Sequence, residues 1–345
     1  MEYYEKSIRF DSLYRALKKC CHNVRWKDSV VGYESNGLKN TLELSRQLSS
    51  GKYKLSPYQV FTIYEPKRRV IVATRIRDRQ VQRALCDNGL YDDIAEHFIR
   101  DNVACQKGRG TDDAFRRMKT HLHRYYRRYG ANGWVLKCDI RHFFPSTRHD
   151  VAKAAVQRAV QDGRVADYVC TVIDSFGGER GIGLGSEISQ LVELLVLNDL
   201  DHYIKERLGI RYYIRYMDDF VLIHHSKAVL EKCLHEIRKK LTEIGLELNG
   251  KTTIHQFNQG VKFLKWTFKL TDTGRVLMLM DKRKLSKFRR RLRKLAEKER
   301  SGIVPPGTAR DSLQSFLAHA ERGDTYLIRR RMIDYYNGLG CGFYD

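Results

Sequence analysis

The most constraining feature of this sequence is a pair of apolar runs joined by a short acidic turn. Residues 211–216 read RYYIRY, residues 220–225 read FVLIHH, and MDD stands between them. Short runs rich in aromatic and β-branched residues on either side of a tight turn predict a β-hairpin. Asp218 and Asp219 would lie at its turn. An acidic pair at such a place is usually only a polar turn, so its meaning depends on the rest of the chain.

A third strand candidate precedes this hairpin. Residues 134–139 read WVLKCD, an apolar run that ends in Asp139. Helical periodicity follows it and returns after the hairpin, where one helix face carries Val229, Cys233, Ile237, Leu241 and Ile244. This β-α-β-β-α order is typical of a split βαβ unit, in which helices cover one face of an antiparallel sheet. The predicted fold class is therefore α+β.

Three segments upstream complete the outline. Residues 1–55 have apolar positions at helical spacing, which predicts a largely helical N-terminal extension. From Tyr58 the sequence becomes β-rich, and the runs QVFTIYEP and VIVAT predict a second hairpin with a basic tip, KRR, at residues 67–69. The loop at residues 102–110 combines glycines with basic residues, a composition that suits close approach to a phosphate backbone.

The charge balance indicates the class of partner. The chain has 64 Lys and Arg against 41 Asp and Glu, a formal net charge of +23. Such an excess favours a polyanion, because basic side chains neutralise phosphates and release their counterions. Much of the excess lies in residues 281–300, where one helix face is densely positive and the other carries Leu285, Phe288, Leu292 and Leu295. Such a helix is either a solvated surface or a contact for a nucleic-acid backbone.

Composition also excludes some classes of protein. The eight cysteines include no C-x-x-C pair, so neither a zinc ribbon nor a disulfide framework is expected. No uninterrupted run of about 18 apolar residues occurs, and the start MEYYEKSIRF lacks the apolar stretch of a secretory signal. We therefore expect a cytoplasmic protein with no membrane partner.

Asp139, Asp218 and Asp219 are the candidate catalytic residues. Phosphoryl transfer from a nucleoside triphosphate uses two divalent cations about 3.5–4 Å apart, one activating the attacking hydroxyl and one stabilising the leaving pyrophosphate. Carboxylates are suitable ligands, since Mg²⁺ prefers hard oxygen donors. The turn of an apolar hairpin can bring its carboxylates beside the end of a neighbouring strand. The three acids thus predict a site for two magnesium ions.

In their order along the chain, these segments resemble a known family. RYMDDFVLI resembles motif C of reverse transcriptases and KCDIRHFFPS resembles their motif A, and the resemblance extends over about residues 55–270. It implies a right-hand polymerase fold with fingers, palm and helical thumb. It also implies an RNA-directed DNA polymerase, a nucleotidyltransferase that extends a DNA or RNA primer with dNTPs on an RNA template. Two Mg²⁺ ions, which Mn²⁺ can replace, would be held by Asp139, the backbone carbonyl of Ile140, Asp218 and Asp219.

The same resemblance implies residues that bind the nucleotide and the template. Lys67 and Arg69, at the basic tip, would grip the incoming triphosphate. DNVACQKGRGTDDAF resembles the template-contacting stretch, with Lys107 and Arg109 on backbone phosphates. Phe144 takes the position of an aromatic gate that excludes a 2′-hydroxyl, and its neighbour Phe143 is expected in the core.

The loop LGSEISQ at residues 184–190 resembles motif B, which lies against the nascent base pair, and Gly185 would let the backbone come close. Retroviral and group II intron enzymes usually have Gln before this glycine and Pro after the serine, whereas Leu184 and Gln190 stand here; the resemblance implies that both, with Gly185, border the incoming nucleotide. This variant, together with YMDD and HAERGDTYLIRRRM, resembles the enzymes of diversity-generating retroelements and some defence-associated bacterial reverse transcriptases. The loss of an amide at Leu184 implies looser base-pair checking.

The remaining motifs follow the hairpin. GLELNGKTT resembles motif D, in which Lys251 would protonate the departing pyrophosphate. VKFLKWTF resembles the primer grip, with Leu264 and Trp266 near the primer end. The basic helix would belong to the thumb, with Arg289, Arg290, Arg293 and Lys294 along the duplex. The predicted parts are an extension at 1–55, fingers at 56–130, a palm at 131–260 with a fingers insertion at about 150–180, and primer grip and thumb at 261–345.

Several alternatives stay open. Within the family, diversity generation is favoured over antiviral defence and a retron-like role, and an accessory protein or a structured non-coding RNA is a further possible partner. A viral RNA-directed RNA polymerase shares the palm carboxylates but commonly has GDD and a smaller gate residue than Phe144. A non-catalytic RNA-binding scaffold would be indicated by the loss of Asp139, Asp218 or Asp219, and all three are present.

Overall fold

The computed structural model describes residues 3–64 and 68–340. The α-helices in these residues are α1 Tyr4–Ile8, α2 Phe10–Cys21, α3 Asp28–Ser35, α4 Gly37–Ser49, α5 Ile76–Leu85, α6 Tyr91–Ala95, α7 Thr111–Tyr129, α8 Phe143–Ser146, α9 His149–Ala159, α10 Gly163–Asp174, α11 Glu187–Val196, α12 Asn198–His202, α13 Lys227–Glu243, α14 Lys282–Arg300, α15 Thr308–Ala320 and α16 Tyr326–Asn337. The strands are β1 Gln59–Ile63, β2 Arg69–Ala73, β3 Trp134–Asp139, β4 Tyr212–Tyr216, β5 Asp219–His224, β6 Thr253–Gln256, β7 Val261–Phe263, β8 Trp266–Leu270 and β9 Val276–Met280. None of the helices in the described ranges is both long and apolar enough to cross a membrane.

The chain forms two compact units whose segments alternate along the sequence. The first comprises the described parts of residues 1–107, 139–209 and 233–250, and the second those of residues 108–138, 210–232 and 251–345. Strand β3 thus belongs to the second unit up to Cys138, and the first unit resumes at Asp139. The division into extension, fingers, palm and thumb stays a prediction.

In the first unit, the N-terminal helices pack on α5. Leu17 and Cys21 of α2 are buried in one cluster there. The buried side chain of Gln80 adds polar anchors, because its Nε2 donates to the carbonyl oxygen of Leu13 at 3.0 Å and to Oγ1 of Thr41 at 2.9 Å. A buried amide without such partners would be costly, so these bonds fix the N-terminal helices on α5.

Strands β1 and β2 of the first unit form an antiparallel hairpin, in which Ile63 lies opposite Arg69. Its intervening residues 65–67 lie outside the described chain. The loop before α11 contacts β2, since the backbone N of Val72 donates to the carbonyl oxygen of Leu184 at 2.9 Å. This backbone hydrogen bond attaches the hairpin to a segment outside its own two strands.

A four-stranded sheet in the second unit has the strand order β4-β5-β3-β6. β4 and β5 are antiparallel, with Tyr216 opposite Asp219 at the closed end of their hairpin, and β3 is antiparallel to β6. Helix α7 packs on the sheet, and Tyr125 of that helix meets Tyr212 of β4 edge to face, with 5.4 Å between ring centroids. The antiparallel pairs and the helices between the strands confirm the predicted α+β class.

A second sheet, with the order β7-β8-β9, also lies in the second unit. Asp324, between α15 and α16, fastens the helices to β9: its backbone N donates to the carbonyl oxygen of Met278 at 2.9 Å, and its Oδ2 accepts from the Met278 N at 2.8 Å. Gly323 leaves room for Trp266, because a Cβ there would lie 2.4 Å from Cζ3 of that ring. Helices α14–α16 enclose their own core, made of Leu292, Ala296, Ala309, Leu313, Met332 and Tyr336.

Candidate active site

The predicted β4–β5 hairpin is present, but its loop is only Met217 and Asp218, and Asp219, expected in the turn, is the first residue of β5. Met217 has φ of 55°, the positive value that primed turns need at the first loop position to match the twist of the strands. A residue with a Cβ is strained in this conformation and needs support. Arg215 supplies it: its side chain is fully buried, and its Nη1 donates to the carbonyl oxygen of Met217 at 3.1 Å. This support was missed in the sequence, although an Arg inside the apolar run RYYIRY was a signal.

Asp219 begins β5, the strand next to β3 in the sheet. Nζ of Lys137, on β3, contacts Oδ1 of Asp219. The two side chains are 18% and 28% exposed, so the ion pair is largely shielded from water. A positive charge thus stands beside one of the two adjacent carboxylates of the turn. Lys137 is the second functional candidate that sequence reasoning missed, because its partner is distant in the chain.

Asp139 is the last residue of β3, and the backbone after it is held in the first unit. The carbonyl oxygen of Asp139 accepts from the backbone N of Asn249 at 2.7 Å, and Ile140 forms an antiparallel bridge with Leu248. Ile140 is buried. These bonds fix the main chain at the position where the sequence predicts a carboxylate and a backbone carbonyl as metal ligands.

The donor chemistry of the turn fits a hard divalent cation. Asp218 and Asp219 offer carboxylate oxygens, and Asp219 already faces a cation in the ammonium of Lys137. Within residues 3–64 and 68–340, no three side chains of His, Cys, Asp or Glu are grouped as ligands of one metal ion. The two-metal site therefore stays a prediction about Asp139, Asp218 and Asp219.

Phe143 is buried, as expected, and meets Phe144 edge to face with 5.8 Å between ring centroids. Phe144 is half-buried and keeps part of its ring accessible. Its backbone is fixed, because its carbonyl oxygen accepts from the N of Ile182 at 2.9 Å. Phe144 thus belongs to a well-supported segment, as a gate residue requires, and the gate itself stays a prediction.

The loop at residues 184–190 approaches β2 closely. Gly185 has φ of +135°, and a Cβ there would lie 2.9 Å from the carbonyl oxygen of Val72. Ser186 ends the loop: its Oγ accepts from the N of Ser189 at 3.3 Å, capping α11, and donates to Oε1 of Gln82 at 3.0 Å. The close approach in the structure is thus to β2, and the place of Gly185 beside a nascent base pair stays a prediction.

Lys107 and Gln190, predicted to bind template and nucleotide, line one cavity of about 240 Å³ in the first unit. Lys107 is held at its edge, with Nζ 4.1 Å from the ring centroid of Tyr91. Cys86 and Cys105 also line this cavity, and burial raises the pKa of both thiols, which keeps them protonated. The resemblance implies separate roles for these two residues, whereas the structure places both on the lining of one cavity.

The predicted primer grip contains the tight turn between β7 and β8. Leu264 and Lys265 both have positive φ, of 47° and 70°, and Leu264 is half-buried. Trp266 is only 2% exposed and packs against Phe115, with 6.2 Å between ring centroids. Trp266 can therefore support the turn between β7 and β8 by packing inside the fold, but its ring offers almost no surface to a primer. Nζ of Lys284, from α14, donates to the carbonyl oxygen of Lys265 at 3.0 Å and ties the turn to the basic helix.

The basic helix has the two faces that the sequence predicts. Leu292 and Ala296 are buried on one face of α14. The four residues predicted to lie along the duplex are all exposed on the helix: Arg289, Arg290, Arg293 and Lys294. Asp281 caps the helix by accepting from the backbone N of Arg283 at 2.8 Å. The charge of the outer face is thus available to a polyanion.

The remaining predicted residues are scattered over the two units. Lys67 lies outside the described residues, whereas Arg69 begins β2 and is exposed. Arg109 is half-buried just before α7, and Lys251 is exposed in the turn before β6. The centre of the candidate site therefore stays at Asp218 and Asp219.

Comparisons with known proteins concern the family and the fold. The family model described as reverse transcriptase (RNA-dependent DNA polymerase) matches residues 64–268. Protein YkfC of Escherichia coli is 27% identical over 267 residues, which cover 64% of this chain and 69% of that protein. A putative COX1/OXI3 intron 1 protein of Saccharomyces cerevisiae is 24% identical over 185 residues, 49% of this chain and 20% of that protein.

Among solved structures, a telomerase of Candida albicans in complex with a fragment of telomeric RNA has a similar fold. The TM-score is 0.53 at 13% identity, and the similarity covers 83% of this chain and 55% of the telomerase. This likeness confirms the predicted right-hand polymerase fold and, at such low identity, nothing beyond the fold. Because the family model spans more than half of the sequence, the chain belongs to the reverse transcriptases, the RNA-dependent DNA polymerases.

Proposed function

We propose that this protein extends a DNA or RNA primer with dNTPs on an RNA template by two-metal phosphoryl transfer. The observation that carries the proposal is the hairpin turn at Met217–Asp218, held by the buried Arg215, in a strand pair next to β3, the strand that ends at Asp139. Asp139, Asp218, Asp219 and the Ile140 carbonyl would hold two Mg²⁺ or Mn²⁺ ions. When bound, these ions supply charge stabilisation at the attacking and leaving oxygens.

The chain's own groups would position the substrates. Lys67 and Arg69 would neutralise the triphosphate, and Lys251 would give a proton to the departing pyrophosphate oxygen. Phe144 would exclude a 2′-hydroxyl, while Leu184, Gly185 and Gln190 would border the nascent base pair. Template and primer would be held by Lys107 and Arg109, by the Leu264 turn supported by Trp266, and by the outer face of α14 with Arg289, Arg290, Arg293 and Lys294.

The biological role that we propose is in a diversity-generating retroelement, with a template RNA and an accessory protein or structured RNA as partners. It is supported by Leu184 and Gln190 in the loop before and at the start of α11. Defence-associated and retron-like roles are the alternatives. The gene neighbourhood separates them: a paired template and variable repeat supports diversity generation, whereas an adjacent effector gene or structured RNA supports the alternatives.

The decisive experiment is primer extension by Asp218→Asn and Asp139→Asn on a primed RNA template with Mg²⁺. Each variant should lose at least about 10³-fold in rate, because a lost ligand charge weakens transition-state stabilisation more than packing. Asp272→Asn, at an exposed position, is the matched control and should extend normally. Melting temperature and RNA affinity should change little in all three. Near-normal extension by either active-site variant would exclude the mechanism and favour a non-catalytic RNA-binding scaffold.

A further inference from the structure

Lys137 is a charged side chain in a position largely shielded from water, where a charge needs a compensating partner. It lies on β3, inside the sheet of the second unit, and its Nζ contacts Oδ1 of Asp219. The same Nζ lies 5.6 Å from the ring centroid of Phe263, which is itself buried. The ammonium is thus held between a carboxylate and an aromatic face, two surroundings that both favour a cation.

Asp219 needs a positive neighbour. It adjoins Asp218 in the chain, so two acidic side chains follow each other at this turn. Because Asp219 is only 28% exposed, water screens its charge incompletely, and an uncompensated carboxylate there would oppose folding. Lys137 provides the compensation, and it does so from the strand that ends at Asp139 two residues later.

We propose that Lys137 is a positioning residue that compensates Asp219 in the metal-free protein and competes with a divalent cation for the same carboxylate. This inference rests on the proposed function, in which Asp219 is a metal ligand. A divalent ion that binds Oδ1 of Asp219 must displace the ammonium from that oxygen. Lys137 therefore keeps the turn ordered before the metal arrives and weakens the binding of the metal.

The test measures metal binding and melting without nucleic acid. Mn²⁺ binding by calorimetry and the melting temperature, in chelator and in Mn²⁺, are compared for the wild type and Lys137→Met. The variant should melt lower in chelator, gain more from Mn²⁺ than the wild type, and bind Mn²⁺ about tenfold more tightly, as expected when one competing ion pair is removed. Lys137→Arg keeps the charge and should stay close to the wild type. Lys262→Met, exposed on β7, is the matched control and should change nothing.

Unchanged or weaker Mn²⁺ binding by Lys137→Met would overturn the competition. A double variant, Lys137→Met with Asp219→Asn, keeps the proposal testable if the single variant does not fold. With both charges removed, it should fold in chelator and gain less in melting temperature from Mn²⁺ than the wild type does, because one of the proposed carboxylate ligands is gone. A double variant that melts as low as the single variant, or that gains as much from Mn²⁺ as the wild type, would contradict the pairing. Failure of this test leaves the Asp139→Asn and Asp218→Asn extension results untouched, so the two proposals fail separately.

Discussion

The two hairpins β4–β5 and β1–β2 both carry charge at or beside the tip, but they are supported differently. In β4–β5 nearly every side chain is buried, including Phe220, and the buried Arg215 holds the acidic turn. In β1–β2, by contrast, Val60 is 63% exposed and Phe61 is 45% exposed. The contact that supports this second hairpin from the loop before α11 is made at Val72.

The difference follows from what each tip has to do in the proposed reaction. Adjacent carboxylates repel each other, so Asp218 and Asp219 can be held in one geometry only if the surrounding protein fixes the turn. A basic tip has no such need, because phosphate oxygens of a bound nucleotide would compensate its charge. Burial thus fixes the acidic tip in advance, whereas exposure leaves the basic residue Arg69 available to a ligand.

The largest difference in the free energy of unfolding is expected between Arg215→Met and Arg69→Met. Loss of the buried guanidinium should lower the free energy of unfolding by up to about 5 kcal/mol, because its buried partners lose their hydrogen bonds. Displacement of the turn by about 1 Å should also slow primer extension about 100-fold. Arg69→Met should change stability by less than about 0.5 kcal/mol and act on the KM for dNTP. Urea unfolding and single-nucleotide extension measure both effects, and equal stability losses would break the comparison.

A matched pair of phenylalanines tests packing without charge. Phe220→Ala, in β5, should cost about 3–4 kcal/mol, since it removes a fully buried ring. Phe61→Ala, in β1, should cost less than about 1 kcal/mol, because much of that ring already faces water. Chemical unfolding of both variants gives the two numbers. A large loss for Phe61→Ala would mean that a partner or another part of the chain covers β1 in solution.

Gly185→Ala tests whether the loop before α11 supports β2. The added Cβ meets the carbonyl oxygen of Val72 at 2.9 Å, so the loop or β2 must shift, at a cost of about 2 kcal/mol. Gly178→Ala is the control: it has positive φ too, but no atom lies within 4 Å, and about 1 kcal/mol is expected. Hydrogen exchange of residues 69–73 should become faster only in Gly185→Ala. Equal exchange in both variants would mean that the loop does not support the hairpin.

Phe144 is half-buried, between buried Phe220 and exposed Phe61, and its truncation should have a small effect on stability. Phe144→Ala should cost about 1 kcal/mol or less and raise ribonucleotide incorporation relative to deoxynucleotide. Phe144→Tyr keeps the bulk and should keep the sugar preference. Extension with single dNTPs and NTPs on a defined RNA template measures the ratio. An unchanged ratio in Phe144→Ala would show that another side chain excludes the 2′-hydroxyl.

Local periodicity was enough to predict much of this fold. The acidic hairpin, the apolar strand before it and the two-faced helix α14 all depend on residues that are neighbours in sequence, and the structure contains all three. The order of strands in a sheet is different, because it depends on pairing between distant segments. The contact of Lys137 with Asp219 requires β5 to lie beside β3, which the sequence order of the strands does not dictate.

In the candidate site too, local features could be predicted and long-range packing could not. Asp139, Asp218 and Asp219 could be chosen from residue type and place in a strand or turn. Burial of particular side chains could not be predicted: the resemblance implies Trp266 near the primer end, and the structure adds that its ring lies inside the fold. Gly323 and Asp324 enter the sequence analysis only within HAERGDTYLIRRRM, as part of a resemblance. In the structure, Asp324 forms two hydrogen bonds with Met278 that hold the helices on β9.

The alternation of the two units along the chain has a consequence for synthesis on the ribosome. Strand β3 emerges with a run of apolar residues, but its partner β6 begins only at Thr253. At typical translation rates of about 5–20 residues per second, that edge of β3 waits roughly 5–25 s for its partner. The first unit is complete only at residue 250, and the second needs residues after that position. We therefore expect nascent chains released before residue 253 to bind chaperones or aggregate, because they expose an unpaired apolar strand.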